Sequence, residues 1–376
     1  MDIIIRNGRV IDPYNKLDQI CDVVINNGKI KGVGYFDDLE CEKEIDAKGC
    51  IVTPGLIDYH VHIYPLTEIG IPAEVTCFSS GVTTVVDAGS CGCANYEYYR
   101  GFINSSKLRI KCYLNVCSAG LVTSSYHENV NPEYFNRKKI KRLFEKYRGE
   151  LISLKVRLSK DVVGDLGIEP LKETVKLAEE IDVKVVVHST NSPVTMTELV
   201  NCLRKGDVVT HAYHNIGHSI INENGKVYDE IKAARQRGVI FDVANARFHF
   251  AFKVADAAIK DGFLPDVIST DLTVKSLYKK PQIFNMMFLL SKYLNMGLSM
   301  NEIIERCTSA PARIIGMEGE IGCLSPRSCA DIAVLKIIEK EELFEDWEGG
   351  KIIGKKLLRT MLTVREGEIV YRDIEF

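Results

Sequence analysis

The longest unbroken apolar run in this chain is Met286-Met287-Phe288-Leu289-Leu290, far short of the roughly 20 residues a membrane helix needs. The start, Met1-Asp2-Ile3-Ile4-Ile5-Arg6, puts an acid at position 2 and has no long apolar segment, so a secretory signal is not expected. A cytoplasmic location follows as the expectation. Basic residues are not in excess: 48 Lys+Arg stand against 51 Asp+Glu, and no acidic tail is present. A net charge of −3 offers nothing to draw in nucleic acid. The expected partner is a small molecule, with no membrane and no nucleic acid, and a homo-oligomer is compatible with the composition. Twelve cysteines occur without a single Cys-x-x-Cys, which argues against a structural zinc knuckle. The nearest pair, Cys91-Gly92-Cys93, reads as a loop with small residues, and free thiols in a reducing compartment account for the rest. Internal repeats, low-complexity tracts and Pro/Ser-rich linkers are missing as well.

What is present falls into three textures. Residues 1–53 carry short β-branched runs broken by turn signals. Asn7-Gly8 and Asn26-Asn27-Gly28 both sit between such runs and predict hairpins. From residue 54, strand-like runs alternate with amphipathic segments such as 168–181 and 227–237. Strands are expected at 56–62, 81–87, 109–116, 151–157, 184–189, 207–211, 238–243 and 267–271. Eight alternating units predict an α/β fold, a (β/α)8 TIM barrel. The final stretch returns to β texture, with a strand at 330–335 and a hairpin around Glu366-Gly367-Glu368. The expected domains are a (β/α)8 barrel over 54–319 and a small β-sandwich built from both termini, 1–53 and 320–376.

In such a barrel the reacting groups stand at the C-terminal ends of the strands. Strand one ends in His60-Val61-His62, two imidazoles on the same face because side chains repeat every second residue. Alone, this His-x-His is weak evidence for metal. Strand five ends in His188, strand six in His211 and strand eight in Asp271, while Lys155 lies deep in the apolar run Leu154-Lys155-Val156. Each has an ordinary reading: a satisfied core histidine, a capping aspartate, a lysine in a buried ion pair. One metal centre explains all of them together. Lys155 as an ammonium would repel a cation, whereas the carbamate formed from neutral lysine and CO2 is a bidentate anion able to bridge two metals. The expected cofactors are two divalent ions, zinc in the first place and Mn, Fe, Co or Ni as alternatives. One would be held by His60, His62 and Asp271 and the other by His188 and His211, with carboxylated Lys155 between them. A hydroxide bridging the pair would attack a substrate carbonyl, with Asp271 as general base and acid.

With these residues in place the chain resembles the amidohydrolase superfamily. The resemblance is carried by Gly55-Leu56-Ile57-Asp58-Tyr59-His60-Val61-His62, Lys155, His188, His211 and Asp271 in that order, and it spans essentially the whole chain. Gly81-Val82-Thr83-Thr84-Val85-Val86-Asp87-Ala88-Gly89-Ser90 and Ser269-Thr270-Asp271-Leu272 are similar to the amidohydrolase/deacetylase, or dihydroorotase-like, subgroup. The resemblance implies a binuclear centre and hydrolysis of amide or ester bonds of small carboxylates, such as N-acyl amino acids or cyclic amides. Alternatives are an esterase or deaminase on the same site, or a catalytically silent scaffold. Two places depart from the subgroup: Thr273 stands where a histidine is usual, and Asn245-Ala246-Arg247-Phe248-His249 replaces a His-Gly pair. Ser328 replaces a usual glycine in a turn. Candidate substrate contacts are Tyr64, Arg157, His214, Asn215, Arg247, His249 and Thr273, Arg157 being equally readable as half of a structural ion pair.

Overall fold

A computed structural model describes residues 1–37, 39–122 and 127–376. The chain forms two sheets. The first joins the two ends of the sequence. It contains β1 (Ile3–Asp12), β2 (Leu17–Asn26), β3 (Lys29–Gly34), β4 (Lys43–Asp46) and β5 (Ile51–Pro54). The barrel strands follow: β6 (Leu56–Val61), β7 (Val82–Asp87), β8 (Arg109–Asn115), β9 (Leu151–Arg157), β10 (Lys184–His188), β11 (Val208–Thr210) and β12 (Ile240–Asp242). The chain then returns to the first sheet as β13 (Ile332–Glu345), β14 (Lys351–Arg365) and β15 (Glu368–Arg372). The first sheet runs β15-β14-β13-β5-β1-β2-β3, with β4 beside β1. Ile5, Val23, Val52, Ile332, Val334 and Leu362 share one core, so strands from both termini bury the same apolar surface.

The barrel sheet is parallel, in sequence order from β6 to β12. Parallel strands covered on both faces need near-continuous apolar runs, and every residue of β6 and β7 is buried. The expected eighth strand, 267–271, is not a regular strand. It closes the ring through two parallel bridges, Asp242 to Val267 and Val61 to Leu272. Asn245 and Ala246 donate to the carbonyls of Ser269 and Thr270 on one side, and Asp271 N–H donates to His60 O at 2.7 Å on the other. The segment cannot stay extended because Asp271 turns into the left-handed region at φ 49°. Outside the ring, the helix Glu169–Glu180 buries Leu171, Thr174, Val175 and Ala178 and presents Lys172, Lys176 and Glu179 to solvent. Each such leucine contributes about 1.5–3 kcal/mol by burial. Inside it, Ile57, Tyr59, Val86, Tyr113, Val186 and Val208 pack together, and Tyr113 donates to Tyr59 O at 2.8 Å. That layer is the floor on which the site rests.

Two further expectations change. Asn7-Gly8 is not a hairpin turn. β1 runs straight through it, and the ladder with β2 shifts register between Ile5 and Gly8, a bulge with Asn7 at φ 61°. The bulge is fixed because Asn7 N–H donates to Asp22 and its amide to Asp46. Asn27-Gly28 and Glu366-Gly367 do turn hairpins, all four residues having positive φ. The second change is the length of β13 and β14. They pair from Ile332↔Val364 out to Glu345↔Lys351, a long ribbon. Its tip, Asp346-Trp347-Glu348, reaches the barrel loops, where Asp346 accepts Phe252 N–H at 2.8 Å. No helix among the described residues is long and apolar enough to cross a membrane.

Candidate metal centre

The ends of β6, β10 and β11, with the closing segment between its two bridges, bring His60, His62, His188, His211 and Asp271 into one buried cluster. The Asp271 carboxylate is the hub: one oxygen lies 3.5 Å from His60 Nε2 and 3.2 Å from His62 Nε2. His188 and His211 have ring centroids 4.4 Å apart. Among the described residues, the ligand atoms of His60, His211 and Asp271 lie within 4.8 Å of one another, and so do those of His188, His211 and His249. His211 and Asp271 both take positive φ, 68° and 49°. Strained backbone of this kind costs about 1–3 kcal/mol per residue and persists only where the surroundings impose it.

The surroundings are visible in the hydrogen bonds. His211 Nδ1 donates to Ala244 O at 2.8 Å, which leaves Nε2 with its lone pair toward the centre. His62 Nδ1 lies 2.8 Å from Ser90 Oγ, whose proton goes to Asp87 at 2.9 Å. The serine therefore accepts from the ring, and His62 Nε2 is free. His60 Nδ1 is 3.0 Å from Thr210 Oγ1, which leans on Asp242. Asp58 holds the aspartate segment by accepting from Thr270 N–H at 3.0 Å and its hydroxyl at 2.5 Å. Burial pushes Asp58 and Asp242 up to about 7 and holds His60, His188 and His211 far below the usual histidine range. Neutral imidazole is the form that binds metal.

Lys155 projects into the middle of this cluster from β9. Gly89 makes the space: a Cβ there would meet both Cβ and Cγ of Lys155 at 2.9 Å. Lys155 Nζ is buried and has no hydrogen-bond partner among the described residues. Burial drives its ammonium down to about 8, against the opposing pull of Asp271, Asp242 and Glu128. Unpartnered buried polar atoms are costly and rare. Here they gather: Lys155 Nζ, Glu128 Oε2, His249 Nδ1 and both ring nitrogens of His214. Four imidazoles, one carboxylate and an unpaired amine are a donor set suited to divalent metal, so the residues present fit such a group.

The other candidates divide. His249 joins the cluster, with its ring centroid 4.1 Å from His211 and Nε2 3.9 Å from Asp271. His214 is wholly buried, and burial holds it down to about 3. Arg157 is occupied by Ser159 at 3.0 Å, Asp161 at 3.4 Å and Glu128 at 3.8 Å, an ion-pair arrangement. Asn215 is committed to Glu348 of the ribbon tip at 2.9–3.0 Å. Thr273 caps the helix Val274–Tyr278 in a reciprocal capping box with Ser276. Tyr64 is packed in the apolar core with its ring 4.4 Å from Tyr99. Arg247 lies over the rings of Phe248 and Trp347 and donates to Lys280 O. Sequence reasoning missed Glu128, buried beside Asn115 and Arg157. It also missed Trp347, whose ring packs edge-on against Phe248 at 4.1 Å. Nothing in the local sequence of either marks it.

Comparison with known proteins agrees with this geometry. Residues 51–355 match the amidohydrolase family. A deacetylase of Agrobacterium fabrum is 33% identical over 358 residues, covering 93% of this chain and 86% of that protein. A deacetylase of Enterococcus faecalis is 26% identical over 373 residues, covering 98% of each. Among solved structures, one described as a dihydroorotase superposes with TM-score 0.89 at 30% identity, covering 99% of each chain. Another, described as an adenine deaminase, gives 0.91 at 26%, covering 99% of this chain and 100% of that one. A barrel of this kind, carrying histidines and an aspartate that could hold metal at the ends of its strands, is that of a hydrolase acting on C–N bonds. The chain belongs to the amidohydrolase family.

Proposed function

We propose that the protein is a binuclear metal-dependent amidohydrolase that cleaves the C–N bond of a small carboxylate-bearing substrate, such as an N-acyl amino acid or a cyclic amide. The observation that carries this reading is the meeting of His60, His62, His188, His211 and Asp271 around an unpaired, buried Lys155 Nζ. In it, His60, His62 and Asp271 would hold one divalent ion and His188 and His211 the other. Two such ions supply Lewis-acid polarisation of a carbonyl and make water a nucleophile near neutral pH. Lys155, once carboxylated, would add an anionic oxygen ligand between these two sets of residues. Its neutral Nζ attacks the carbon of CO2, an N–C bond forms, one C–O π pair moves to oxygen, and the nitrogen loses a proton to solvent. A lysine held down to about 8 supplies the neutral amine at an accessible pH.

Asp271 is placed to move the proton. In this reading its carboxylate accepts the proton of the attacking water and returns it to the leaving nitrogen, which departs as a neutral amine. The left-handed turn and the bonds that Thr270 donates to Asp58 keep that carboxylate aimed between the histidines. The wall formed by Phe248, Arg247 and Trp347 lies outside His249 and would meet the rest of the substrate. The similarity to the two bacterial deacetylases supports removal of an acyl group from nitrogen. The test is a screen of metal-loaded protein against N-acetyl, N-carbamoyl and cyclic-amide libraries in both stereochemical series. Turnover of one class with Lys155→Ala inactive, and partly restored by short carboxylic acids, supports the reading. Unchanged turnover by Lys155→Ala refutes the bridging role.

A further inference from the structure

We propose that His249 is itself a ligand of the metal centre, completing a three-histidine set with His188 and His211, and not a substrate contact. This rests on the metal-dependent reading above and names a ligand beyond the six strand-end and strand-borne residues. The first ground is convergence. The ligand atoms of His188, His211 and His249 all lie within 4.8 Å of one another. The His249 ring centroid is 4.1 Å from that of His211 and 4.9 Å from that of His188. The donor to Ala244 O fixes His211 so that its inward nitrogen carries a lone pair. Three imidazoles converging this closely can offer their ring nitrogens to one shared cation.

The second ground is how firmly the loop is held. Asn245 and Ala246 donate to Ser269 O at 3.1 Å and Thr270 O at 2.9 Å. Ala244 and Ala246 take φ of 33° and 39°, a conformation alanine rarely adopts. Asn245 Oδ1 accepts from the buried Lys292 Nζ at 2.7 Å, and that nitrogen sits 3.6 Å from the centre of the Phe250 ring. Arg247 is pinned on Lys280 O and lies over the rings of Phe248 and Trp347. After His249, Ala251 N–H donates to Tyr213 O at 2.9 Å, so the backbone is held on both sides, yet His249 Nδ1 has no partner among the described residues. Its Nε2 faces Asp271 at 3.9 Å, beyond hydrogen-bond reach. An imidazole held in place by its loop, with neither ring nitrogen engaged among the described residues, has a nitrogen left to give to an ion.

The experiment compares full-length wild type, His249→Ala and His249→Gln, each loaded with zinc or with cobalt. Bound metal is counted after equilibration against a weak chelator, and visible absorption of the cobalt forms reports coordination number. Wild type retains two ions. Both variants lose one, with affinity at that position weakened at least tenfold, and their cobalt spectra change in shape and intensity. Adding free imidazole to cobalt-loaded His249→Ala restores the wild-type spectrum, which a misfolded variant cannot do. Variants that keep both ions at wild-type affinity with an unchanged cobalt spectrum overturn the inference while leaving the hydrolase reading intact. Wild type that takes up no metal overturns that reading and the inference with it.

Discussion

Gly89 is where a single methyl group tests the placement of Lys155. Its φ of +82° lies in the left-handed region, and a Cβ would meet Lys155 Cβ and Cγ at 2.9 Å. Lys155 Cβ is fixed by the backbone of β9 and cannot rotate aside. Gly89→Ala therefore combines a backbone cost of about 1–2 kcal/mol with an overpacking cost of about 1–3 kcal/mol. Gly149 is the matched control: its φ is +81° and a Cβ there would meet nothing within 4 Å. Gly149→Ala should cost only the backbone part, about 1–2 kcal/mol. Urea unfolding of the two metal-free variants gives the difference, and metal counting of the loaded proteins gives its consequence. Gly89→Ala is expected to be the less stable by about 1–3 kcal/mol and to lose metal and turnover, while Gly149→Ala keeps both. Equal stability of the two, with a full metal complement in Gly89→Ala, would refute the packing of Lys155 against Gly89.

Two further outcomes are expected. Lys292→Met removes a buried amine that donates to Asn245 Oδ1. Burial depresses Lys292 well below 10.5, so below that pH the unfolded chain binds more protons than the folded one. Wild type should lose stability relative to Lys292→Met as pH falls from 10.5, by up to about 1.4 kcal/mol per pH unit, until the folded-state lysine is fully charged. A difference that is flat with pH would show that Lys292 titrates normally. Trp347→Ala strips the outer wall from Phe248 and Arg247 without touching the cluster of histidines. Steady-state kinetics should give a KM raised several-fold with kcat little changed, and a kcat loss with unchanged KM would contradict that placement.

Much of the barrel is legible in the sequence because its strands are apolar on both faces and end in polar residues. Val185-Val186-Val187-His188 declares both a buried strand and its terminus. The six proposed metal-binding residues can be named because each stands on, or at the end of, such a run. What is illegible depends on contacts distant in sequence. The 336–360 ribbon escapes because Lys336, Glu339, Lys340 and Glu341 are exposed, and the run shows no clean alternation. Its tip meets the barrel through Trp347, Glu348 and Asp346, whose partners lie some hundred residues upstream. Asn7-Gly8 carries a turn signal that the β1–β2 ladder overrides with a bulge. Position beside strand ends suggests Thr273 and Asn215 as substrate contacts. Their side chains are instead taken up by a helix cap and by Glu348. In the sequence His249 is a loop residue near the substrate, because only the folded chain sets it beside His188 and His211.

The central claim is that this cluster of residues is a two-metal centre bridged by Lys155. The direct measurement is metal content by mass spectrometry of wild type and Lys155→Ala, both expressed with supplemented zinc and dialysed identically. The account predicts about two equivalents per chain in wild type and a clear loss in Lys155→Ala. Wild type with no bound metal, or Lys155→Ala retaining the full complement, would contradict it.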